Sequence, residues 1–156
     1  MKSTFETLIN DLKEKHKLAL NWFHKNKNKK FKGWLPVLEE NVLLASKAKG
    51  IYKPKSLSYA LSIRISKNNY YDDQFTFEND KVKLKYFQEN KNIKERDLEY
   101  TNIGLKKCMK EKIPIGVFVQ EEKKPNSLYK VIGTGLIQKW ENGYYFVDIF
   151  DDRGEL

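Results

Sequence analysis

Apolar positions along the chain repeat first with a helical period and then with a period of two. Ser3 and Glu6 have capping-box spacing, in which a hydroxyl and a carboxylate each satisfy an orphan amide at a helix start. Phe5, Leu8, Ile9, Leu12, Ala19, Trp22 and Phe23 then share one stripe, interrupted around Lys15 and His16. A single helix over residues 3–25 is expected, with both histidines on its solvent side or edge. Asn26-Lys27-Asn28-Lys29-Lys30 has no period and is followed by the breakers Gly33 and Pro36, so 26–33 reads as a basic loop.

From there the pattern alternates, as strands with one buried face do. Leu57, Tyr59, Leu61, Ile63 and Ile65 alternate with Ser58, Ala60, Ser62, Arg64 and Ser66, and Val82, Leu84 and Tyr86 alternate with Lys81, Lys83 and Lys85. Further strands are expected at Ile113 to Gln120, Leu128 to Gln138 and Tyr144 to Phe150, with a shorter one at Val42 to Ser46. Asn142-Gly143 suits a tight primed turn, so the last two strands should form a hairpin. Tyr100 to Lys112 reads as a second helix that buries Leu105, Cys108 and Met109. The expected fold class is α+β: one domain holding a curved mixed sheet or open pseudobarrel (42–150) of about six or seven strands, with an amino-terminal helix and a second helix between strands. Such barrels often bind nucleic acid, although a fold alone does not fix a function.

Composition narrows the chemistry. The 156 residues suffice for one domain with a real core, and 40% hydrophobic content exceeds that of a disordered chain even with 33% charged residues. No stretch resembles a membrane span or a signal peptide, so a soluble cytoplasmic protein is expected. One cysteine and two histidines leave no disulfide and no zinc site of the usual kind, and no Walker loop is present. No metal or cofactor is expected. Gly133-Thr134-Gly135 falls inside a strand and reads as a bulge or bend, while Cys108 reads as a small buried hydrophobe.

The net charge is +9, and it is concentrated: residues 1–24, 25–55 and 56–156 carry +1, +7 and +1. Such clustering is an electrostatic footprint for phosphates, although only Arg64, Arg96 and Arg153 among thirty basic residues are arginine, as a general lysine bias would also produce. The loop Ser46-Lys47-Ala48-Lys49-Gly50-Ile51-Tyr52-Lys53-Pro54-Lys55 sets four lysines around a tyrosine: lysines can meet phosphates, and Tyr52 can stack on or touch a base edge. The alternative is a plain solvated loop. Lys81, Lys83 and Lys85 share one face at about 7 Å intervals, near the spacing of successive phosphates, although lysines on a strand also blunt edge-to-edge aggregation. Tyr70, Tyr71, Phe75, Phe77, Tyr86 and Phe87 form an aromatic middle that suits a core or a cage for an extruded base. Asp80, Glu89 and Lys91 have a loose magnesium-nuclease pattern, which chance readily produces in so charged a chain.

The motif order carries a resemblance. Lys49-Gly50-Ile51-Tyr52-Lys53-Pro54, Tyr59-Ala60-Leu61-Ser62-Ile63-Arg64, Tyr86-Phe87-Gln88-Glu89, Tyr100-Thr101-Asn102-Ile103-Gly104-Leu105 with Cys108, Ile113-Pro114-Ile115-Gly116-Val117 and Trp140-Glu141-Asn142-Gly143-Tyr144 together resemble the DNA-recognition domain of bacterial restriction endonucleases. In that group the domain precedes an HNH nuclease or accompanies a McrB-like or LlaJI-like motor subunit. The resemblance spans roughly residues 42–150 and implies a DNA-binding pseudobarrel of the plant B-three type that reads the major groove of specific duplex DNA. An SRA or PUA-like barrel that flips a modified base is the alternative. Either way the domain itself is expected not to be an enzyme, any nuclease or motor lying in another domain or subunit of a longer protein; the ending 151–156, without helix or strand signal, fits that expectation. Arg64 and Asn102 are polar residues within these motifs and are the expected base or backbone contacts, beside Lys47, Lys49, Tyr52, Lys53, Lys55, Lys81, Lys83 and Lys85. An RNA-binding or protein-interaction domain is the remaining reading.

Overall fold

The computed structural model describes residues 2–47, 49–66, 74–78, 81–87 and 100–156. Its helices are α1 (Thr4–Ile9), α2 (Glu14–Lys25) and α3 (Tyr100–Glu111), and its strands are β1 (Lys30–Lys32), β2 (Ile51–Tyr52), β3 (Ser62–Ser66), β4 (Gln74–Glu78), β5 (Lys81–Phe87), β6 (Ile115–Glu122), β7 (Leu128–Glu141) and β8 (Tyr144–Ile149). The strands form one open mixed sheet in the order β2-β3-β6-β7-β8-β5-β4, with β1 pairing beside the start of β7. β3 and β6 run parallel and every other pair is antiparallel. The expected α+β fold with an open curved sheet is present. Among the described residues the strands number eight: Lys30–Lys32, Ile51–Tyr52 and Gln74–Glu78 pair with β7, β3 and β5 where no strand was expected, while Val42–Ser46 joins no ladder.

The first helix is two. Ser3 Oγ accepts the Glu6 amide at 3.1 Å, as the capping spacing expects, but α1 stops at Asn10, and α2 begins after Lys13. The break falls ahead of His16, which lies inside α2 on its buried face with Ala19, Leu20 and Phe23. The alternating run from Leu57 is also shorter than expected. Only Ser62–Ser66 is strand, and Val42–Ser46 is extended chain without a ladder, bridged to Leu38 only at Val42. Side chains hold that segment instead: Ser62 Oγ donates to the Leu44 carbonyl at 2.7 Å, and Arg64 donates to that of Ser46 at 3.2 Å.

Alternation along the strands makes two cores, one on each face. Phe5, Leu20, Phe23, Leu44, Phe118, Val131 and Phe150 form the first beneath α1 and α2. Ile63, Leu84, Leu105, Cys108, Val117, Tyr145 and Val147 form the second with α3. Curvature enters at β7, where Gly133 takes φ +133 and the register with β6 shifts between Val117 and Phe118, the bend expected of Gly133-Thr134-Gly135. A side chain at Gly135 would meet Val147 Cγ1 at 2.5 Å, so the strand must be bare there. Asn142 and Gly143 have φ 51 and 86 and close the β7–β8 hairpin as expected. The ending 151–156 is a turn packed on α1: the Phe5 amide donates to the Gly154 carbonyl at 2.9 Å, and Glu155 accepts from Thr4. No helix among the described residues is long and apolar enough to cross a membrane.

Candidate nucleic-acid interface

Three stretches far apart in sequence meet at one end of the first face. Chain leaving β1 turns at Gly33, with φ +82, and lays Trp34 across the sheet, where it packs edge-on against Tyr129 (5.1 Å between ring centroids) and Phe118 (6.1 Å). Arg64 projects from β3 to the same face because Ile63 and Ile65 on either side belong to the opposite core. The β6–β7 connection brings Lys123 and Lys124. These residues, with Lys47, Gln120 and Ser127, line a cavity of about 430 Å³. Lys47 Nζ stands 5.7 Å and the Arg64 guanidinium 6.0 Å from the Trp34 ring centroid, within reach of cation–π attraction. Four of the lining residues are cationic and none is acidic. Glu121, between Gln120 and Glu122, alternates to the other face and pairs with Lys30 at 3.1 Å.

The rest of the basic loop folds back on the protein. Lys49 and Lys53 stand over the Tyr100 ring at 4.7 and 5.9 Å, and the Lys53 stem lies against Gly104 on α3. Lys55 is exposed. Tyr52 does not point outward from the loop: half-buried in β2, it packs on the first core and lines a second cavity of about 520 Å³ with His16, Val42, Pro54, Leu57 and Leu61. Burial raises its phenol above the ordinary tyrosine value. His16, expected on the solvent side, is 97% hidden in the wall of that cavity; desolvation lowers its pKa to about 4 and keeps it neutral, and its Nε2 has no hydrogen-bond partner. His24 is half-buried and stacks on Phe5 at 4.6 Å, and desolvation, then Lys27, lowers its pKa.

The remaining expected contacts are distributed differently. Asn102 is only 1% exposed, on the inner side of α3 where the Tyr145 hydroxyl donates to its carbonyl at 3.4 Å, so the contact expected of it with DNA is corrected: it belongs to the second core. Helix periodicity, which puts Asn102 with Leu105 and Cys108, carried the signal. Lys81, Lys83 and Lys85 do share one face of β5, opposite the buried Leu84 and Tyr86. Lys81 donates to the Leu156 main-chain oxygen at 2.8 Å, Lys83 pairs with Asp148 at 3.7 Å, and Lys85 stands 4.1 Å from the Tyr144 ring centroid. Cys108 is fully buried, donates to the Ala60 carbonyl at 3.2 Å, and has its thiol pushed up to about 12 by desolvation, as expected of an inert core residue. In the aromatic middle, Tyr86 is core, Phe75 packs against it, and Phe77 is exposed. Tyr70 and Tyr71, and the nuclease pattern Asp80, Glu89 and Lys91, lie outside the described residues. Among the described residues no group of three His, Cys, Asp or Glu side chains could hold a metal ion.

Trp34, Gln120, Lys123 and Lys124 are the site residues the sequence reading missed. Lys123-Lys124-Pro125-Asn126 carried a turn signal with charge, and Trp34 followed the breaker Gly33. Nothing local showed that the two would meet.

No family model and no curated protein matches this sequence. Two solved structures are similar to it. One is a crystal structure of KRYPTONITE in complex with mCHH DNA, H3(1-15) peptide and SAH, at TM-score 0.44 and 23% identity over 66% of this chain and 27% of that one. The other is KRYPTONITE in complex with mCHG DNA and SAH, at TM-score 0.42 and 23% identity over 63% and 24%. This chain spans about a quarter of the length of those proteins.

Proposed function

We propose that this chain binds DNA and that the cleft around Trp34 is its main phosphate-binding surface. One observation carries the reading: Lys47, Arg64, Lys123 and Lys124 converge from three parts of the sequence on a single cavity without an acidic neighbour in its lining. Like charges left together are what an anionic partner compensates, and each phosphate contact releases a condensed counterion. The lysine row of β5 and the exposed Lys55 are secondary phosphate contacts in this reading. Any cleavage or motor activity belongs to another part of a restriction system, as the motif order implies, and this domain supplies recognition.

Within that function, reading by an extruded, modified base fits better than insertion of the 47–55 loop into the major groove. Tyr52, the residue expected to read base edges, is turned from the loop surface into a cavity of about 520 Å³, and Lys49 and Lys53 are drawn onto Tyr100. A cavity of that size takes a small heterocycle, and its lining sets the Tyr52 phenol and the His16 imidazole beside the apolar Val42, Leu57 and Leu61, with Lys13, Glu14, Lys15, Glu40 and Asn41 also in the wall.

Fluorescence anisotropy with labelled duplexes, unmodified and carrying methylated cytosine, at several salt concentrations tests both levels. Binding is expected to weaken as salt rises and to favour the modified duplex, with Tyr52→Phe reducing the preference more than the affinity for unmodified DNA. Failure to bind any duplex at low salt sinks the DNA reading. Equal affinity for both duplexes sinks the modified-base form alone.

A further inference from the structure

We infer that the Trp34 cleft is a stacking site for one unpaired DNA nucleotide, separate from the Tyr52 cavity, with the base on the indole and the phosphate among the surrounding cations. The inference rests on the DNA-binding reading above and says which part of the DNA enters the cleft.

Size comes first. A cavity of about 430 Å³ is within the range of small-ligand sites and holds a nucleotide, whereas a duplex about 20 Å across can only lie over its mouth. Chemistry agrees with size. Phosphate contacts alone need no aromatic floor, yet the floor here is an indole, the side chain with the largest π surface, and every unpaired base has a free face to lay on it. The indole is held in place: Tyr129 meets it at 90° and Phe118 at 80°, so its orientation is fixed before any ligand arrives. Lys47 and Arg64 now ride on the ring at 5.7 and 6.0 Å. A base settling on the indole takes the place of Lys47, which swings on its flexible stem to the nucleotide's phosphate, while Arg64 keeps its bond to the Ser46 carbonyl and turns its remaining N–H donors to the same phosphate. Lys123 and Lys124 flank the same opening, and Gln120 and Ser127 offer hydrogen bonds to a base edge. At the rim, a side chain in place of the hydrogen of Gly33 would meet nothing within 4 Å, so the entrance is open.

The test compares a blunt duplex, the same duplex with a short 3′ single-stranded extension, and a single strand, reading anisotropy together with intrinsic tryptophan emission. Stacking is worth about 1 to 3 kcal/mol per base, so the extended duplex and the single strand should bind roughly fivefold or more tighter than the blunt duplex. Both should quench part of the emission, because Trp34 is one of three tryptophans. Trp34→Ala should remove the quench and bring the extended duplex and the single strand down to the affinity of the blunt duplex, and Trp34→Phe should retain part of both. Should Trp34→Ala melt early, the comparison of the three DNAs on the unaltered protein decides. Blunt and extended duplexes bound equally, without quench, would overturn this inference and leave the DNA reading standing; no binding to any DNA would overturn both. Preference for an RNA extension over the DNA one would overturn the assignment to DNA.

Discussion

A methyl group added at Gly116 would fall inside the ring of Phe23, because α2 crosses β6 at that residue with the ring laid flat over the bare backbone. Neither partner can yield easily, since Phe23 is fully buried and Gly116 sits in a strand paired on both sides. Gly116→Ala is therefore expected to cost about 1 to 3 kcal/mol, read as a lower midpoint in chemical denaturation with an unchanged slope. His16 sets a pH dependence at the same scale. Its pKa falls from 6.5 to about 4 on folding through desolvation, so the unfolded chain binds the proton more readily. Stability contributed by the neutral imidazole is complete above about pH 6.5 and is lost as pH falls through 4, by up to about 3 kcal/mol. Denaturation measured from pH 7 to pH 4 should show that loss, and His16→Phe should flatten the profile in this window. An unchanged slope in the variant would mean that other groups govern acid unfolding.

Elements succeed or fail on their ends. The β7–β8 hairpin depends on two residues with positive φ, Asn142 at 51° and Gly143 at 86°, which primed turns require and only a few residue types accept. Gly143→Val should cost more than the roughly 1 kcal/mol typical of a strained turn position, and hydrogen exchange should speed first at the tip pairs Glu141–Tyr144 and Trp140–Tyr145. α1 has a different dependence. With six residues it is too short to stand by itself, and it is held by its Ser3 cap and by the turn at 151–155, whose geometry is fixed by Asp151 accepting from the Arg153 and Glu155 amides at 2.9 Å each. Those bonds, with that from Glu155 the larger, hold the Asp151 carboxyl below its ordinary value. Asp151→Ala should loosen that turn, raising exchange at the Phe5 amide, which donates to Gly154, well before the sheet amides respond.

At the scale of the whole molecule, function is a question of where charge collects. A net charge of +9 spread evenly would give only weak, general attraction to polyanions. Gathered at one cleft, four cations should contribute about −3 to −4 to the slope of log affinity against log salt for duplex DNA, with any secondary contact adding to it. Lys123→Ala combined with Lys124→Ala should reduce that slope by about two units and weaken all duplex sequences alike, since neither residue is placed on a base. Changing Lys25 and Lys110, exposed at the last turns of α2 and α3, should leave the slope nearly unchanged. A slope altered equally by both pairs would show that general charge, not the cleft, attracts the DNA.

Local rules carried much of the fold. The capping of Ser3, the helix at Tyr100–Glu111, the Asn142-Gly143 turn and the buried Cys108 follow from residue type and spacing, because each depends on neighbours a few positions away. Two-residue alternation also showed which faces of β3 and β5 would be buried. It did not show where β3 begins: the run from Leu57 alternates throughout, but a strand exists only where β6 and β2 supply ladder partners. Nor did it show that Lys49, Tyr52 and Lys53 would matter less than Trp34, since the burial of Tyr52, the drawing of Lys49 and Lys53 onto Tyr100 and the meeting of Lys47, Arg64, Lys123 and Lys124 all join separate segments of the chain. The sequence by itself determined the capped start of the first helix, the helix at Tyr100–Glu111, the hairpin and the excess of positive charge, because these are set by short-range sterics and composition. The tertiary structure alone decided which charges share a cavity and which aromatic ring lies among them, because sheet pairing between β3, β6 and β7 is what brings those side chains to one face.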